Sequence, residues 1–267
     1  MRYGLCVANI GTYADPRNVV ALAEHAEAAG WESLLIWDHL AFVWGPPAGD
    51  PWVTLAAVAS RTSRLLVGTD VTPVPRRRPH VLAHQVATLD VLSGGRAVFA
   101  AGIGGVPSEF TAFGETDDAR IRGEMLDEGL EVLRGLWSGE RVTHRGRHYT
   151  VDGVELRPRP VQERIPIWIG GNSAPALRRA ARFDGWAADS ERPEGMRLLP
   201  EDVAQRVAVI RGARDDAVFD VAVIAQQQWA EPAAYAEAGA TWWLESIHDM
   251  RGAFDELLAI VRAGPPR

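Results

Sequence analysis

The chain contains no lysine, because every one of its 28 lysine-or-arginine positions is arginine. Without lysine it cannot form the Schiff bases of lysine-dependent enzymes or supply the lysine of a nucleotide-binding P-loop. Any bound anion must therefore be held by arginine, hydroxyl groups or backbone N–H groups. The net charge of −7 also argues against nucleic acid as a partner, since phosphate binding needs a concentrated basic surface. The one dense basic run, residues 76–79, predicts a solvated loop or a clamp for one small anion.

Cysteine and long apolar runs are scarce as well. The single cysteine, Cys6, cannot form an internal disulfide, so a reducing, cytoplasmic setting is the expectation. No apolar run approaches the roughly 20 residues needed to cross a bilayer, and the first residues read as a strand rather than a secretory signal. His80 and His84 lie four apart on a predicted helix, but the zincin glutamate and other nearby ligands are missing. We therefore predict neither membrane contact nor a metal site.

Short apolar runs and amphipathic stretches alternate along the chain. The helix-like residues 16–30, 81–95 and 120–139 repeat apolar positions every three to four residues. The strand-like runs are residues 3–9, 33–38, 65–71, 97–103, 165–171, 185–189, 219–225 and 240–245. Strands that alternate with helices pair in parallel, because each return to the sheet needs a crossover. Eight such units in about 250 residues predict an α/β fold, a single (β/α)8 TIM barrel over residues 1–267.

Two segments bear on the alternatives to this barrel. A doubly wound sheet is the second possibility, but residues 102–107 read GIGGVP and place Pro107 where the last glycine of the G-x-G-x-x-G fingerprint belongs. Residues 140–164 are polar and rich in arginine and proline. We expect this segment to be an irregular excursion between the fourth and fifth barrel strands, not a second domain.

Polar residues and glycines follow several of the predicted strands. Asp38 and His39 end the second strand, Glu109 follows the fourth, and Gly170 and Gly171 follow the fifth. The carboxyl ends of barrel strands meet on one face, where catalytic groups collect. His39 therefore either acts in catalysis or only caps its strand. The two glycines either expose N–H groups to an anion or only form a tight turn.

Ten tryptophans are many for a chain of this length. Six of them lie at or near predicted strand ends or in the following loops: Trp37, Trp44, Trp52, Trp168, Trp242 and Trp243. They either wall an apolar pocket or fill the core.

Four stretches together resemble the bacterial-luciferase-like family of flavin and deazaflavin oxidoreductases. They are EAAGWESLLIWDHL (27–40), LLVGTDVTPVPRRRPHVLAHQVATLDVLSGGRAVFAAGIG (65–104), IPIWIGGNSAPALRRAARFDGW (165–186) and AGATWWLE (238–245). The second is the most specific, since family members place a strand, a helix with TLD and SGGR, and the next strand in this order. The resemblance covers nearly the whole chain and implies a luciferase-like barrel with a cofactor ring at its carboxyl-terminal mouth.

The resemblance also implies roles for individual residues. His39 matches a histidine beside the reactive face of the ring, Asp38 the acid before it, and Glu109 a carboxylate that donates or accepts a proton. Asp70 and Val71 match a bulge where many members carry a non-prolyl cis peptide that supports the ring. The phosphate-binding turn is matched by Gly170, Gly171, Asn172 and Ser173.

The implied cofactor depends on the turn after the fourth strand. Flavin monooxygenases of the family bind the FMN phosphate with an arginine there, whereas this chain has Ile103 followed by Gly104. The small turn is more similar to the branch that uses the deazaflavin coenzyme F420, and Gly104 joins the implied cofactor contacts. The implied reaction is hydride transfer between F420 and a small organic substrate. In it His39 polarises or protonates the reacting oxygen, Glu109 relays a proton and Asp38 orients the imidazole.

Three alternative functions stay open at this point. They are an FMN-dependent monooxygenase that uses O2, a flavin- or deazaflavin-binding protein without turnover, and a metal-dependent barrel hydrolase. The absence of lysine argues against the lysine-assisted sugar-phosphate pocket of the glucose-6-phosphate dehydrogenase branch. Residues 190–219 are too few for the large insertion of longer members. Relatives often pair through barrel helices, so a homodimer is expected.

Overall fold

A closed barrel of parallel strands forms the centre of the computed structural model, which describes residues 1–40, 45–188, 198–214, 218–226 and 231–266. The strands within these residues are β1 (Arg2–Val7), β2 (Ser33–Ile36), β3 (Leu66–Pro73), β4 (Ala97–Gly102), β5 (Val142–Arg145), β6 (Thr150–Val154), β7 (Ile167–Gly170), β8 (Gly185–Ala188), β9 (Asp220–Ala225) and β10 (Trp242–Ile247). Around the barrel the order is β1, β2, β3, β4, β7, β8, β9 and β10, and β10 pairs with β1. The predicted (β/α)8 TIM barrel is confirmed. The doubly wound alternative is wrong, because the sheet closes on itself.

Helices follow the barrel strands and surround them. They are α1 (Pro16–Ala29), α2 (Pro51–Arg61), α3 (Pro79–Ser93), α4 (Ser108–Thr111), α5 (Ala119–Trp137), α6 (Ala174–Ala180), α7 (Pro200–Arg211), α8 (Pro232–Glu237) and α9 (Phe254–Ala263). Helices α1, α3 and α5 lie within two residues of the bounds predicted from periodicity. No helix of the described chain is both long and apolar enough to cross a membrane.

The ends of α1 show why the sequence places a helix there. Asp15 caps the first turn by accepting a hydrogen bond from the N–H of Arg17, and Pro16 occupies the first helical position. The helix ends at Gly30, which adopts a left-handed conformation with φ of 92°. These local signals fix both ends of the helix within one residue of the predicted range.

The barrel strands are buried on both faces. Every residue of β2 and of β4 is buried, because the interior covers one face and the helices cover the other. The barrel interior is filled by a cluster that includes Cys6, Leu35 and Val98 together with Trp168 and Trp242. Polarity therefore resumes only where a strand leaves the sheet, and that point positions the candidate site.

Most of the tryptophans highlighted by the sequence belong to the core. Trp168 and Trp242 pack against each other inside the barrel, with ring centroids 5.8 Å apart. Trp52 and Trp243 lie in the cluster between the barrel and its helices. Trp37 is the one of these five that lines the cavity described below. Trp44, Asp189 at the end of the predicted sixth strand, and residues 190–197 and 215–217 of the short segment lie outside the described residues.

The expected excursion between the fourth and fifth barrel strands contains a small antiparallel hairpin of β5 and β6. Glu128 of α5 attaches this hairpin to the barrel. Its carboxylate accepts hydrogen bonds from the N–H groups of His148 (2.9 Å) and Tyr149 (2.6 Å) and lies 3.1 Å from Nε2 of His144. One charged side chain thus satisfies two backbone donors that β6 does not use.

Glu128→Gln is expected to lower the free energy of unfolding by about 1–2 kcal/mol at neutral pH, because bonds to a charged acceptor become bonds to an amide. Burial raises the pKa of Glu128, but the N–H groups of His148 and Tyr149, followed by His144, lower it below the ordinary 4.5. A depressed carboxyl pKa stabilises the fold above pH 4.5 and loses that effect as the pH falls through the lower folded value. The difference in Tm between wild type and variant should therefore shrink as the pH falls below 4.5.

The exposed Glu140 provides the matched control, since its side chain makes no hydrogen bond or ion pair within the described chain. Glu140→Gln should leave Tm unchanged across the same pH range. A Glu128→Gln variant with an equally flat, wild-type Tm would show that the hairpin does not depend on this carboxylate.

Candidate functional site

A cavity of about 630 Å³ opens where the eight barrel strands end. Residues at the carboxyl end of each barrel strand, or within three residues after it, contribute to its wall. Seven predicted site residues lie in this wall: Asp38, His39, Asp70, Val71, Gly104, Gly170 and Gly171. Of the other three, Glu109 is buried next to His39, and Asn172 and Ser173 follow Gly171 along the chain without lining the cavity. The volume is that of a typical small-molecule or cofactor pocket.

His39 is held at both its backbone and its ring. Asn9, two residues beyond β1, donates from Nδ2 to the carbonyl oxygen of His39 at 2.8 Å, and the His39 N–H donates to Asn9 Oδ1 at 3.1 Å. The ring Nδ1 lies 3.1 Å from Oε1 of Glu109. About a quarter (24%) of the His39 side chain stays exposed, in the cavity wall. The imidazole is therefore fixed in orientation and still accessible to a ligand.

Glu109 sits on the short helix α4 and is almost completely buried. Besides His39, it accepts hydrogen bonds from the N–H of Leu40 at 2.6 Å and from Nη1 of Arg76. Burial raises the pKa of Glu109, but His39, the charge of Arg76 and the Leu40 N–H together lower it below its ordinary value. The lowered pKa favours the ionised carboxylate, which accepts hydrogen bonds and can position the ring of His39; the expected proton relay stays a prediction.

The carboxylate of Asp38 pairs with two arginines rather than with the imidazole that it was expected to orient. Its carboxylate accepts hydrogen bonds from Arg76 Nη2 at 2.9 Å and from Arg77 Nε and Nη2 at 2.9 and 2.7 Å. The contact to the ring of His39 comes from Glu109 instead. Asp38 follows a strand whose neighbouring residues alternate in direction, so adjacent side chains separate.

The prediction that residues 76–79 form a solvated loop or an anion clamp is wrong for Arg76 and Arg77. The Arg76 side chain is only 6% exposed, and its guanidinium bridges the carboxylates of Asp38 and Glu109. Arg77 completes the pairing of Asp38. The anions that these arginines bind are therefore carboxylates of the chain itself.

Val71 lines the cavity at an irregularity of β3. The peptide bond between Asp70 and Val71 is cis, as the resemblance implies, and the register of β3 against β4 shifts between Thr69 and Thr72. A Cβ placed on Gly102 or Gly170 would come within 2.7 Å of the Val71 side chain. Glycine at these two strand ends therefore makes the room that Val71 occupies.

The turn after β7 is shaped by backbone conformation. Gly171 has φ of 103°, which favours glycine, and its carbonyl oxygen accepts a hydrogen bond from Nε1 of Trp186 at 2.9 Å. Ser173 is the residue before α6 and makes no capping hydrogen bond with its side chain. Gly170 and Gly171 thus bring backbone to the cavity wall, with Asn172 and Ser173 next to it along the chain.

Sequence reasoning missed a second histidine at the cavity. His248 and Asp249 follow β10 as Asp38 and His39 follow β2, and both line the wall. The ring of Trp37 stacks on His248 at 6.0 Å between centroids and meets His39 edge-on at 5.8 Å. Burial, followed by the charge of Arg251, lowers the pKa of His248. Extending the predicted last strand from residue 245 to its true end would have revealed this polar pair.

The charged side chains that line the wall are carboxylates, of which that of Asp38 is paired with Arg76 and Arg77. Among the described residues, Asp38, Asp70 and Asp249 line the cavity and no arginine does. The same part of the chain contains no cluster of three or more His, Cys, Asp or Glu side chains with metal-binding geometry. The wall is thus built from apolar rings, glycine backbone, histidines and carboxylates.

The family profile of the luciferase-like monooxygenases matches residues 3–262. The F420-dependent glucose-6-phosphate dehydrogenase of Microbacterium testaceum is 34% identical over 195 residues, which are 69% of this chain and 57% of that protein. The F420-dependent hydroxymycolic acid dehydrogenase of Mycobacterium tuberculosis is 34% identical over 186 residues, 68% of this chain and 51% of that protein. The chain thus spans a little more than half the length of these curated relatives.

Solved structures share the architecture. An F420-dependent secondary alcohol dehydrogenase in complex with an F420–acetone adduct superimposes with a TM-score of 0.80 at 18% identity, over 99% of both chains. The coenzyme F420-dependent tetrahydromethanopterin reductase of Methanopyrus kandleri gives a TM-score of 0.72 at 23% identity, over 84% of this chain and 65% of that one. At these identities the likeness shows the fold alone. The profile match over residues 3–262, on a barrel of this topology, shows that the chain belongs to the luciferase-like monooxygenase family.

Proposed function

We propose that this protein is an oxidoreductase that binds coenzyme F420 at the mouth of the barrel and transfers a hydride between it and a small organic substrate. The observation that carries the proposal is an accessible imidazole, His39, held by a buried carboxylate in the wall of a cofactor-sized cavity. Relatives at 34% identity are named F420-dependent dehydrogenases.

The residues present fit a planar tricyclic ring with a phosphorylated side chain. The Val71 side chain, which fills the space beside Gly102 and Gly170, offers an apolar support for the ring, and Gly105 has open space on its Cβ side. In the proposal, Asp70, Val71 and Gly104 contact the ring, and the turn of Gly170, Gly171, Asn172 and Ser173 holds the phosphate with backbone N–H groups and hydroxyl, since lysine is absent. When bound, the deazaflavin supplies a ring carbon that accepts or donates the hydride.

The protein's own part is orientation and proton handling. Nδ1 of His39 is engaged by Glu109. In the proposal, the reacting oxygen of the substrate therefore lies next to Nε2, and the imidazole donates or accepts the accompanying proton there. Glu109 fixes the tautomer and direction of the ring, as an ionised acceptor does for a catalytic histidine. Asp38 acts one step further away, by holding Arg76 against Glu109.

The wall favours an uncharged substrate. No arginine of the described residues lines the wall to bind a phosphate or carboxylate on the substrate, and Trp37 adds an apolar surface. We therefore infer a small neutral alcohol or carbonyl compound as the substrate class, in contrast to the sugar phosphate named in the first relative. The expected homodimer and cytoplasmic location stay predictions.

Titration with the two candidate cofactors tests the proposal. F420 should quench the tryptophan fluorescence of the protein, because Trp37 lies in the cavity wall, and should bind at least about tenfold more tightly than FMN, a difference of about 1.4 kcal/mol. Tighter binding of FMN, with O2 consumption when the flavin is reduced, would contradict the proposal and support the monooxygenase. Tight F420 binding without any substrate-dependent change in its absorbance, across a panel of neutral alcohols and ketones, would instead support a carrier.

A further inference from the structure

The backbone of His39 lies beyond the end of the sheet. The pairing of β1 with β2 ends at Val7 and Ile36, and the last bond between the two segments runs from the N–H of Trp37 to the carbonyl oxygen of Val7 at 2.9 Å. His39 follows two residues later, in the cavity wall. Half-buried backbone groups are nearly always paired, so another group must take the place of the strand neighbour there.

The side-chain amide of Asn9 takes this place. It donates to the carbonyl oxygen of His39 at 2.8 Å and accepts from the N–H of the same residue at 3.1 Å. The amide also donates to the carbonyl oxygen of Gly49 at 2.8 Å, and the side chain is completely buried. Two carbonyl oxygens can only accept and the N–H can only donate, so the amide has one possible orientation.

The backbone on the other side of the amide is itself held in place. Residues 10–11 pair with residues 47–48 through an antiparallel bridge and a further backbone hydrogen bond of 2.9 Å. A Cβ placed on Gly49 would come within 2.5 Å of the carbonyl oxygen of Ala14, so the two segments are in close contact. Asn9 therefore joins His39 to a fixed part of the barrel rim.

This bond pattern decides where the imidazole points. Glu109 contacts Nδ1 of the His39 ring at 3.1 Å, and Asn9 holds the backbone that carries the ring. With both ends held, Nε2 has one direction. Without Asn9 the ring could keep its contact with Glu109 while the backbone shifted and turned Nε2 away. Asn9 does not line the cavity, so it acts on a ligand only through His39.

We propose that Asn9 is a positioning residue of the hydride-transfer site, whose amide holds the backbone of His39 so that Nε2 meets the reacting oxygen of the substrate. The inference rests on the proposed function, because it takes His39 as the residue that handles the proton. Since Asn9 lies outside the cavity wall, it contributes to the chemical step and not to the affinity for F420.

Asn9→Ala should lower kcat with a neutral alcohol or ketone by about 10–100-fold, the size of loss that follows when a reacting group moves by about 1 Å. The dissociation constant of F420, measured by tryptophan quenching, should stay at its wild-type value.

Asn9→Asp gives a sharper readout, because a carboxyl group imitates the amide only when it is protonated. The protonated group has one O–H donor and an acceptor, whereas the carboxylate can only accept and would face the carbonyl oxygens of His39 and Gly49. Burial and these two oxygens raise the pKa of the introduced carboxyl group. The ratio of variant to wild-type kcat should therefore rise about tenfold as the pH falls through that pKa, and the ratio for Asn9→Ala should stay flat.

The other titratable groups do not obscure this comparison. Asp38 and His39 follow β2, and His248 and Asp249 follow β10, on the two strands that flank β1. They are the same in wild type and in both variants, so the ratio at each pH removes their own titration.

Asn18 provides the matched control. Its Nδ2 donates to the carbonyl oxygen of Thr12 at 2.8 Å, a bond of the same kind between residues that do not line the cavity. Asn18→Ala and Asn18→Asp should keep the wild-type kcat at every pH. An unchanged kcat in Asn9→Ala, or an equal loss of kcat and F420 affinity, would overturn the inference and leave Asn9 as a support of the fold alone.

A readout without turnover separates this inference from the proposed function. The NMR resonances of the His39 ring, identified by their absence in His39→Ala, should move in Asn9→Ala and keep their positions in Asn18→Ala. Ring resonances that stay in place would overturn the inference. Asn9→Asp answers the same question if Asn9→Ala does not fold, since its two protonation states are compared within one protein. A wild-type protein that does not bind F420 would contradict the proposed function, whereas the ring resonances would still show whether Asn9 holds His39.

Discussion

Replacing Arg76 by leucine is expected to destabilise the protein by about 3–5 kcal/mol, the usual cost of removing one partner from a buried ion pair. Arg76 bonds to both Asp38 and Glu109, whose side chains are each 1% exposed. Without it, Asp38 keeps Arg77, but Glu109 keeps only the N–H of Leu40 and the ring of His39. A carboxylate whose pKa the arginine helps to lower would then be buried without its nearest full positive charge.

Thermal and urea unfolding of the purified protein measure this effect, and a loss of this size corresponds to a fall in Tm of roughly 10 °C for a chain of this length. The control is Arg61→Leu, which breaks the exposed pair with Glu24, where side-chain exposures of 63% and 40% limit the contribution to about 1 kcal/mol or less. If both variants lost the same small amount, the network around Glu109 would not be a structural element. Arg76→Lys should recover only part of the loss, because a single ammonium nitrogen cannot span the two carboxylates as Nη1 and Nη2 of the guanidinium do.

The fold could be predicted because its signals are local and repeated. Each barrel strand is a short apolar run, and helices such as α1 carry a capping Asp15, an initial Pro16 and a terminal Gly30 within their own sequence. Closure of the sheet then follows from the number of alternating units. Periodicity could not predict the hairpin of β5 and β6, because its residues alternate between exposed and half-buried and none is fully buried.

The candidate site was only partly predictable, for a physical reason. His39 and the glycines could be found because they follow strands, and strand ends converge in any barrel. The partners of Arg76 and Arg77 lie 33 to 39 residues away along the chain. The local sequence therefore predicts only a basic run, whereas the fold forms buried ion pairs. Only three-dimensional placement decides which carboxylate reaches the imidazole, and in the structure it is that of Glu109 rather than that of Asp38.

Replacing His39 by alanine is expected to reduce kcat with a neutral alcohol or ketone by about 10²–10⁴-fold, the usual contribution of a positioned general acid or base. The affinity for F420 should stay near that of wild type, because the proposed cofactor contacts come from Val71 and the two glycine turns rather than from the imidazole. Loss of an interaction made only in the transition state lowers kcat and kcat/KM together. Stopped-flow measurement of the reduction of bound F420 separates that chemical step from product release.

Glu109→Gln should lower the same rate, because the amide can present either a donor or an acceptor to Nδ1 and no longer fixes the tautomer.

The matched control for His39 is His84→Ala, which removes an exposed imidazole on α3, outside the cavity wall, and should leave both kcat and F420 affinity unchanged. His248 makes the outcome more informative, since Trp37 contacts both rings and a second imidazole lines the same cavity. Turnover that survives in His39→Ala and disappears only in His248→Ala would move the proton chemistry to the end of β10. Turnover that survives in both His39→Ala and His248→Ala would mean that hydride transfer here needs neither imidazole. The proposed role of Glu109 in positioning His39 would then be wrong as well.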